Sequence, residues 1–195
     1  FFCIKEINLV MKKIVIFASG SGTNAENIIQ HFKSTNTATV VSVFTNNPKA
    51  YVIERAKKFQ IPTVIFSKEE LIDSKVLQKI NTFQPDLIVL AGFLLKFPKN
   101  IVESYPNEII NIHPALLPKY GGKGMYGMNV HKAIVENKEK ETGITIHYVN
   151  ENYDEGKIIF QKSVAISNCK SPEEIAIKIH ELEMDNFPQV IDQLL

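Results

Sequence analysis

From Ile14 onward, short apolar runs alternate with stretches in which apolar positions recur every three or four residues. Ile14-Val15-Ile16-Phe17 ends in a glycine-rich segment, Ala18 to Asn24, after which Ile28, Ile29 and Phe32 fall at helical spacing. This predicts strand, tight loop, helix. The β-branched run Val40 to Phe44 is followed by Thr45-Asn46-Asn47-Pro48, a helical stretch from Tyr51 to Phe59, and a strand at Thr63-Val64-Ile65-Phe66. A further helix is predicted from Leu71 to Phe83. Leu87 to Ala91 is the most uniformly apolar run in the chain, the mark of a central strand, and another strand is expected over Glu108 to Ile112. Beyond it come a long Pro/Gly-rich loop, a helix over Asn129 to Asn137, and extended segments at Gly143 to Val149 and Lys157 to Ile166. A last helix opens at Ser171-Pro172-Glu173-Glu174, with Ser as N-cap, Pro at N1 and Glu174 completing a capping box.

Strands apolar on both faces and alternating with helices indicate a Rossmann-like, doubly wound α/β domain. The sheet is expected to be mostly parallel, with antiparallel strands added at the C-terminal side. The 195 residues suffice for one domain, here residues 11–195; residues 1–10 precede Met11-Lys12-Lys13 and read as an N-terminal extension. In this architecture ligands bind beyond the carboxyl ends of the strands, so the loops after each strand are where chemistry is sought.

Composition narrows the partners. A formal net charge of +1, with both signs interspersed, lacks the basic footprint of a nucleic-acid binder. Arginine occurs once, at Arg55, so an anion must be held mainly by lysines, backbone amides and helix N-termini. Two ungrouped cysteines, Cys3 and Cys169, fit a reducing setting, and no apolar run approaches the roughly 20 residues that span a bilayer. A cytoplasmic protein with neither membrane nor nucleic-acid partners is expected.

Three segments carry candidate chemistry. Gly20-Ser21-Gly22-Thr23-Asn24-Ala25 satisfies the dinucleotide-loop pattern, but the second strand ends in Thr45-Asn46-Asn47 where that function wants an acidic residue for the ribose. No Walker lysine is present either. What remains is a set of amides with Thr23 and Asn24 as capping side chains, able to receive one phosphate; a glycine turn that only caps a helix explains the loop equally well. In Asn111-Ile112-His113-Pro114, strand alternation turns Asn111 and His113 to one side. An amide donor for a developing oxyanion, worth roughly 3 kcal/mol in other enzymes, then lies beside an imidazole able to move a proton: an acyl-transfer arrangement. In the polar loop Asn150 to Gly156, Asp154 would raise the pKa of His113 and keep its proton near neutral pH, although chemistry alone does not separate it from Glu155. The five histidines show neither HxxxH nor HxH spacing, so no metal is expected.

In order along the chain, Ser19-Gly20-Ser21-Gly22-Thr23-Asn24, then Ala91-Gly92-Phe93 with Asn111-Ile112-His113-Pro114-Ala115-Leu116-Leu117-Pro118, then Asp154-Glu155-Gly156, resemble the folate-dependent phosphoribosylglycinamide formyltransferase family. The likeness runs from Met11 to the end. It implies transfer of a formyl group from 10-formyltetrahydrofolate, as co-substrate, to the amine of glycinamide ribonucleotide in purine biosynthesis, by direct attack through a tetrahedral intermediate. By the same resemblance Asn111, His113 and Asp154 are the catalytic trio: the Asn steadies the formyl oxygen, the His is general acid and oxyanion partner, and the Asp tunes the His. Gly22, Thr23 and Asn24 receive the acceptor's phosphate, while His180 and Glu183 touch its ribose. Leu94, Leu95, Lys96 and Phe97, with Asn111, line the folate pocket, and Lys68 is a basic position on the folate side. A monomer or weak homodimer is implied.

The chain departs from the family pattern in two places. It has no arginine in Leu94 to Phe97, where many relatives carry one, and its segment Gly121 to Gly127 is longer and richer in glycine, either a flap over the site or an insertion. Methionyl-tRNA formyltransferases and formyltetrahydrofolate hydrolases share the trio but carry an extra domain. Sugar-nucleotide formyltransferases and a non-catalytic nucleotide-binding module are the remaining alternatives; the last has no use for all three polar residues together.

Overall fold

The computed structural model describes residues 11–195; the expected extension over residues 1–10 lies outside them. Among the described residues seven strands form one sheet, in the order β3-β2-β1-β4-β5-β6-β7. The strands are β1 (Lys12–Phe17), β2 (Ala38–Thr45), β3 (Thr63–Ile65), β4 (Leu87–Leu90), β5 (Ile109–His113), β6 (Glu141–Tyr148) and β7 (Ile158–Ala165). β1 to β5 pair in parallel, whereas β6 and β7 add antiparallel, as the sequence pattern leads one to expect. The helices are α1 (Thr23–Thr35), α2 (Val52–Lys58), α3 (Lys68–Ile72), α4 (Lys75–Phe83), α5 (Lys99–Ser104), α6 (Met128–Glu136) and α7 (Pro172–Leu194).

Strand alternation divides the core in two. Ile14, Ile16, Leu87, Val89, Ile110 and Ile112 face an aliphatic layer completed by Ile28, Ile29 and Phe32 of α1, Val130 of α6 and Ile179 and Phe187 of α7. Val15, Phe17, Ile88, Leu90 and Ile109 face the opposite layer with Leu71, Val76, Ile80 and Ile101 of α3, α4 and α5. That second layer is aromatic at its carboxyl end, where Phe17 stacks on Phe44 and meets Phe66, Phe93 and Phe97 edge-on. Each fully buried side chain of this size contributes roughly 1.5–3 kcal/mol, so together the two layers fix the strand register.

Three local expectations are revised. The single helix expected over Leu71 to Phe83 is two, because Ser74 takes a left-handed conformation (φ 67°) through which a helix does not continue. α5 is an additional helix, of six residues behind Pro98, too short for its periodicity to register. At the start of α7 the Ser171 hydroxyl accepts from the Glu174 N–H, but the Glu174 carboxylate reaches back to Lys170 N rather than to the N-cap, so the box closes one residue early. Farther along α7, Pro188 has no N–H to give to the Met184 carbonyl. Asn27 of α1 supplies the missing donor at 2.8 Å, which ties the first helix to the last.

Because the chain runs β1-β2-β3 to one side and then returns to β4 and β5 on the other, the loops after β1 and β4 part at a topological switch point. Ser19 holds them together: its hydroxyl donates to Asn46 Oδ1 at 2.6 Å and accepts from Leu94 N at 3.1 Å. The position where a dinucleotide fold carries an acidic residue thus serves to brace the loop.

Candidate active site

Above that switch point lies a cavity of about 800 Å³ lined by residues of the β1, β4 and β5 loops, the 120s segment, the loop after β6, and α7. Ile110 and Ile112 pack into the aliphatic layer, which sends Asn111 and His113 to the other face of β5. The antiparallel register sets Thr145 opposite His113 and His147 opposite Asn111, on that same face. Asn111 Nδ2 is 3.1 Å from His147 Nε2 and 3.5 Å from Asp154 Oδ1. His147 Nδ1 meets the Tyr148 carbonyl at 2.9 Å, so it carries the proton, and Nε2 accepts from the amide. One N–H of Asn111 is thereby fixed, and the other is engaged only by the long contact to Asp154.

Asp154, in a left-handed turn (φ 56°), brings its carboxylate under both rings: Oδ2 lies 3.5 Å from His113 Nδ1 and Oδ1 lies 3.6 Å from His147 Nε2. Gly122 N donates to Oδ2 at 2.9 Å, which ties the glycine-rich segment to the acid. Despite burial, the neighbouring His147 and His113 rings and the Gly122 N–H keep the Asp154 carboxyl below its usual range. Glu155 is exposed and accepts from Asn152, so geometry separates the two acids that the sequence alone could not. On its other side His113 directs Nε2 to the Tyr120 carbonyl at 2.7 Å. The expectation that Asp154 holds this ring cationic is corrected. Burial pushes the His113 pKa down by more than Asp154 and Tyr120 raise it, leaving it below the ordinary histidine value.

The glycine loop and α7 supply a further part of the cavity's lining. Gly22, not Thr23 or Asn24, is the N-cap of α1; it sits at φ 73°, and no side chain caps the helix, contrary to the expected capping role of the two polar residues. A Cβ on Gly22 would lie 2.4 Å from Val52, so α2 packs directly against the loop. Arg55 reinforces it, donating from Nε to the Ser21 carbonyl at 2.8 Å while its guanidinium pairs with Glu26. Asn24 donates from Nδ2 to Glu183 Oε2 at 2.9 Å, and the same oxygen is 3.4 Å from His180 Nδ1. The Glu183 carboxylate raises the His180 pKa.

Asn111, His113, Asp154, Gly22, Thr23, Asn24, His180, Glu183 and Leu94 to Phe97 therefore all line one cavity. Lys68 does not; it is exposed in the first turn of α3. Nothing in the sequence assigns His131, His147 and Tyr120 to the site, since their proximity depends on antiparallel register and loop path. His131, on α6, also lines the cavity, and its buried Nδ1 has no partner among the described residues, as is true of Asn24 Oδ1. No group of three or more metal-binding side chains occurs among the described residues, and no described helix is long and apolar enough to cross a membrane.

An amide, an imidazole and a carboxylate stand at the carboxyl edge of a doubly wound sheet and share one cavity with the glycine loop, and the comparisons place this α/β fold among the group-transfer enzymes. Residues 12–191 match the model of the formyl transferase family, and the chain belongs to that family, in the branch that the motifs indicated. The phosphoribosylglycinamide formyltransferase of Bacillus subtilis is 36% identical over 191 residues, covering 95% of each chain. The chloroplastic enzyme of that name from Arabidopsis thaliana is 36% identical over 92% of this chain, which spans only 64% of that relative. Among solved structures, glycinamide ribonucleotide transformylase 1 of Geobacillus kaustophilus superposes with a TM-score of 0.87 at 34% identity, over 95% of this chain and 99% of the other.

Proposed function

We propose that this protein transfers a formyl group from 10-formyltetrahydrofolate to the amine of glycinamide ribonucleotide, in the cytoplasm, as a step of purine synthesis. The observation that carries the reading is one cavity lined both by Asn111, His113 and Asp154 and by Gly22, Thr23 and Asn24 of the glycine loop. Those two groups of residues suit an acceptor that carries both an amine and a phosphate. The apolar wall of Leu90, Phe93, Leu95 and Phe97 fits a flat pterin-like ring, and Lys96 stands exposed beside it for an anionic tail.

The co-substrate supplies an activated formyl carbon. When the amine adds to it, the less engaged N–H of Asn111 takes the charge gathering on the formyl oxygen. His113, neutral at rest, takes the proton that the amine loses. The imidazolium so formed faces Asp154 and the Tyr120 carbonyl, one at each nitrogen. His113 then returns the proton to the departing folate nitrogen, so the ring ends as it began. Neutral glycine-loop amides and the N-terminus of α1 hold the phosphate.

The test is the absorbance change on tetrahydrofolate release, with and without glycinamide ribonucleotide. Release is expected only with the acceptor, together with formylation of its amine. Release that ignores the acceptor sinks the proposal in favour of hydrolysis.

A further inference from the structure

His113 is gripped from two directions, and the side away from Asp154 is held by main chain: Nε2 meets the Tyr120 carbonyl at 2.7 Å. Tyr120 has a left-handed backbone, φ 58°, a region a bulky aromatic residue occupies only where its surroundings enforce it. The enforcement comes from behind the loop. The Tyr120 hydroxyl donates to Glu139 Oε1 at 2.9 Å, and Lys119 Nζ reaches the same oxygen at 3.0 Å. Glu139 is itself fixed just past α6, its N–H bonding to the Ile134 carbonyl at 3.2 Å. Lys119 and Tyr120 keep its carboxyl below the usual range, hence ionised. At the next residue the chain is crowded, since a Cβ on Gly121 would lie 2.6 Å from Leu117 and 3.2 Å from Asp154 Cβ. Lys119, Tyr120 and Glu139 border a separate cavity of about 290 Å³ on the far side of the loop and do not line the large one. Their influence on chemistry passes through the backbone.

We propose that Tyr120 and Glu139 are a positioning pair: their hydrogen bond locks the left-handed turn that aims the Tyr120 carbonyl at His113 Nε2. The geometry stands by itself, and the kinetic consequence rests on the formyl-transfer reading above. With the bond broken, the turn relaxes towards ordinary backbone angles and the carbonyl leaves Nε2. His113 then loses an acceptor that favours its protonated form. The other groups whose charge reaches it, Asp154, His147, Glu183 and His131, are unchanged.

The experiment measures kcat, both KM values and the NMR titration of the His113 ring in Tyr120→Phe, Glu139→Ala, Glu139→Gln and Lys119→Ala. Tyr120→Phe and Glu139→Ala are expected to lower kcat roughly five- to tenfold through misplacement of the ring. Both KM values stay within about twofold, and the titration moves to lower pH. Glu139→Gln, whose amide oxygen still accepts from the hydroxyl, retains most of kcat, and Lys119→Ala behaves as wild type. An unmoved titration in Tyr120→Phe overturns the proposal, as does a Glu139→Gln loss equal to that of Glu139→Ala. The titration needs no substrate, so absence of acceptor-dependent turnover in the wild type sinks the formyl-transfer reading while this test still decides the pair.

Discussion

The Asp154 carboxylate stands 3.5 Å from His113 Nδ1, so the ring has an anion on one side and the Tyr120 carbonyl on the other. Burial opposes a charge there, and the two acceptors favour it. Asp154→Asn removes the opposing charge. The His113 titration should move to still lower pH and kcat should fall by about a hundredfold, the scale of a lost proton-transfer partner. Glu155→Gln, on an exposed acid bonded to Asn152, should change neither. An NMR titration of both variants decides it: identical His113 curves in wild type and Asp154→Asn would remove the carboxylate from the mechanism.

Asn24 links the glycine loop to α7 through Glu183. Asn24→Ala takes the amide donor from that carboxylate, leaving it only His180 Nδ1 at 3.4 Å, and removes a polar side chain from the glycine loop. The acceptor KM should rise roughly tenfold, equivalent to about 1.4 kcal/mol, while the formyl-donor KM stays put. Initial-rate measurements varying one substrate at a time check this; equal effects on both would mean that the loop serves the whole cavity.

Gly22→Ala tests the loop from the stability side. A side chain there meets φ 73° and a contact of 2.4 Å to Val52. The left-handed conformation alone costs about 1–2 kcal/mol, and the contact adds to it. The Tm should drop by several degrees. Val52→Ala in the same chain should restore only part, because the Val52 Cα is also close, at 2.8 Å.

Acid should destabilise the fold in a definite window. Burial depresses the pKa of both His113 and His131. Between their depressed folded values and the ordinary value of about 6.5, the unfolded chain binds more protons than the folded one. Their contribution to stability is therefore complete above that ordinary value and lost as pH falls through the depressed ones. His180, raised by Glu183, has the opposite sign: its contribution is present below the ordinary value and lost as pH rises through the raised one. Two well-buried rings outweigh one that is partly exposed, so Tm should fall from pH 7 to pH 5. His131→Phe should make the fall shallower; a slope unchanged in that variant removes His131 from the account.

The parallel half of the sheet was readable because Ile14 to Phe17 and Leu87 to Leu90 are apolar on both faces, a pattern only a doubly covered strand needs. Asn111 and His113 were readable for a related reason, being polar residues in an otherwise apolar strand. The partners of these residues were not. His147 reaches Asn111 through cross-strand register, and Tyr120 acts through its carbonyl, which no side-chain pattern encodes. The charge state of His113 is not legible in the sequence, which names the neighbouring acid but not the degree of burial.

Asn24 and Glu183 are 159 positions apart, yet their hydrogen bond helps build one wall of the cavity. During synthesis, β5, β6 and the loop bearing Asp154 all leave the ribosome before α7 does. The cavity therefore stays without that wall until the last helix docks on the first, and this late step also completes the aliphatic layer of the core.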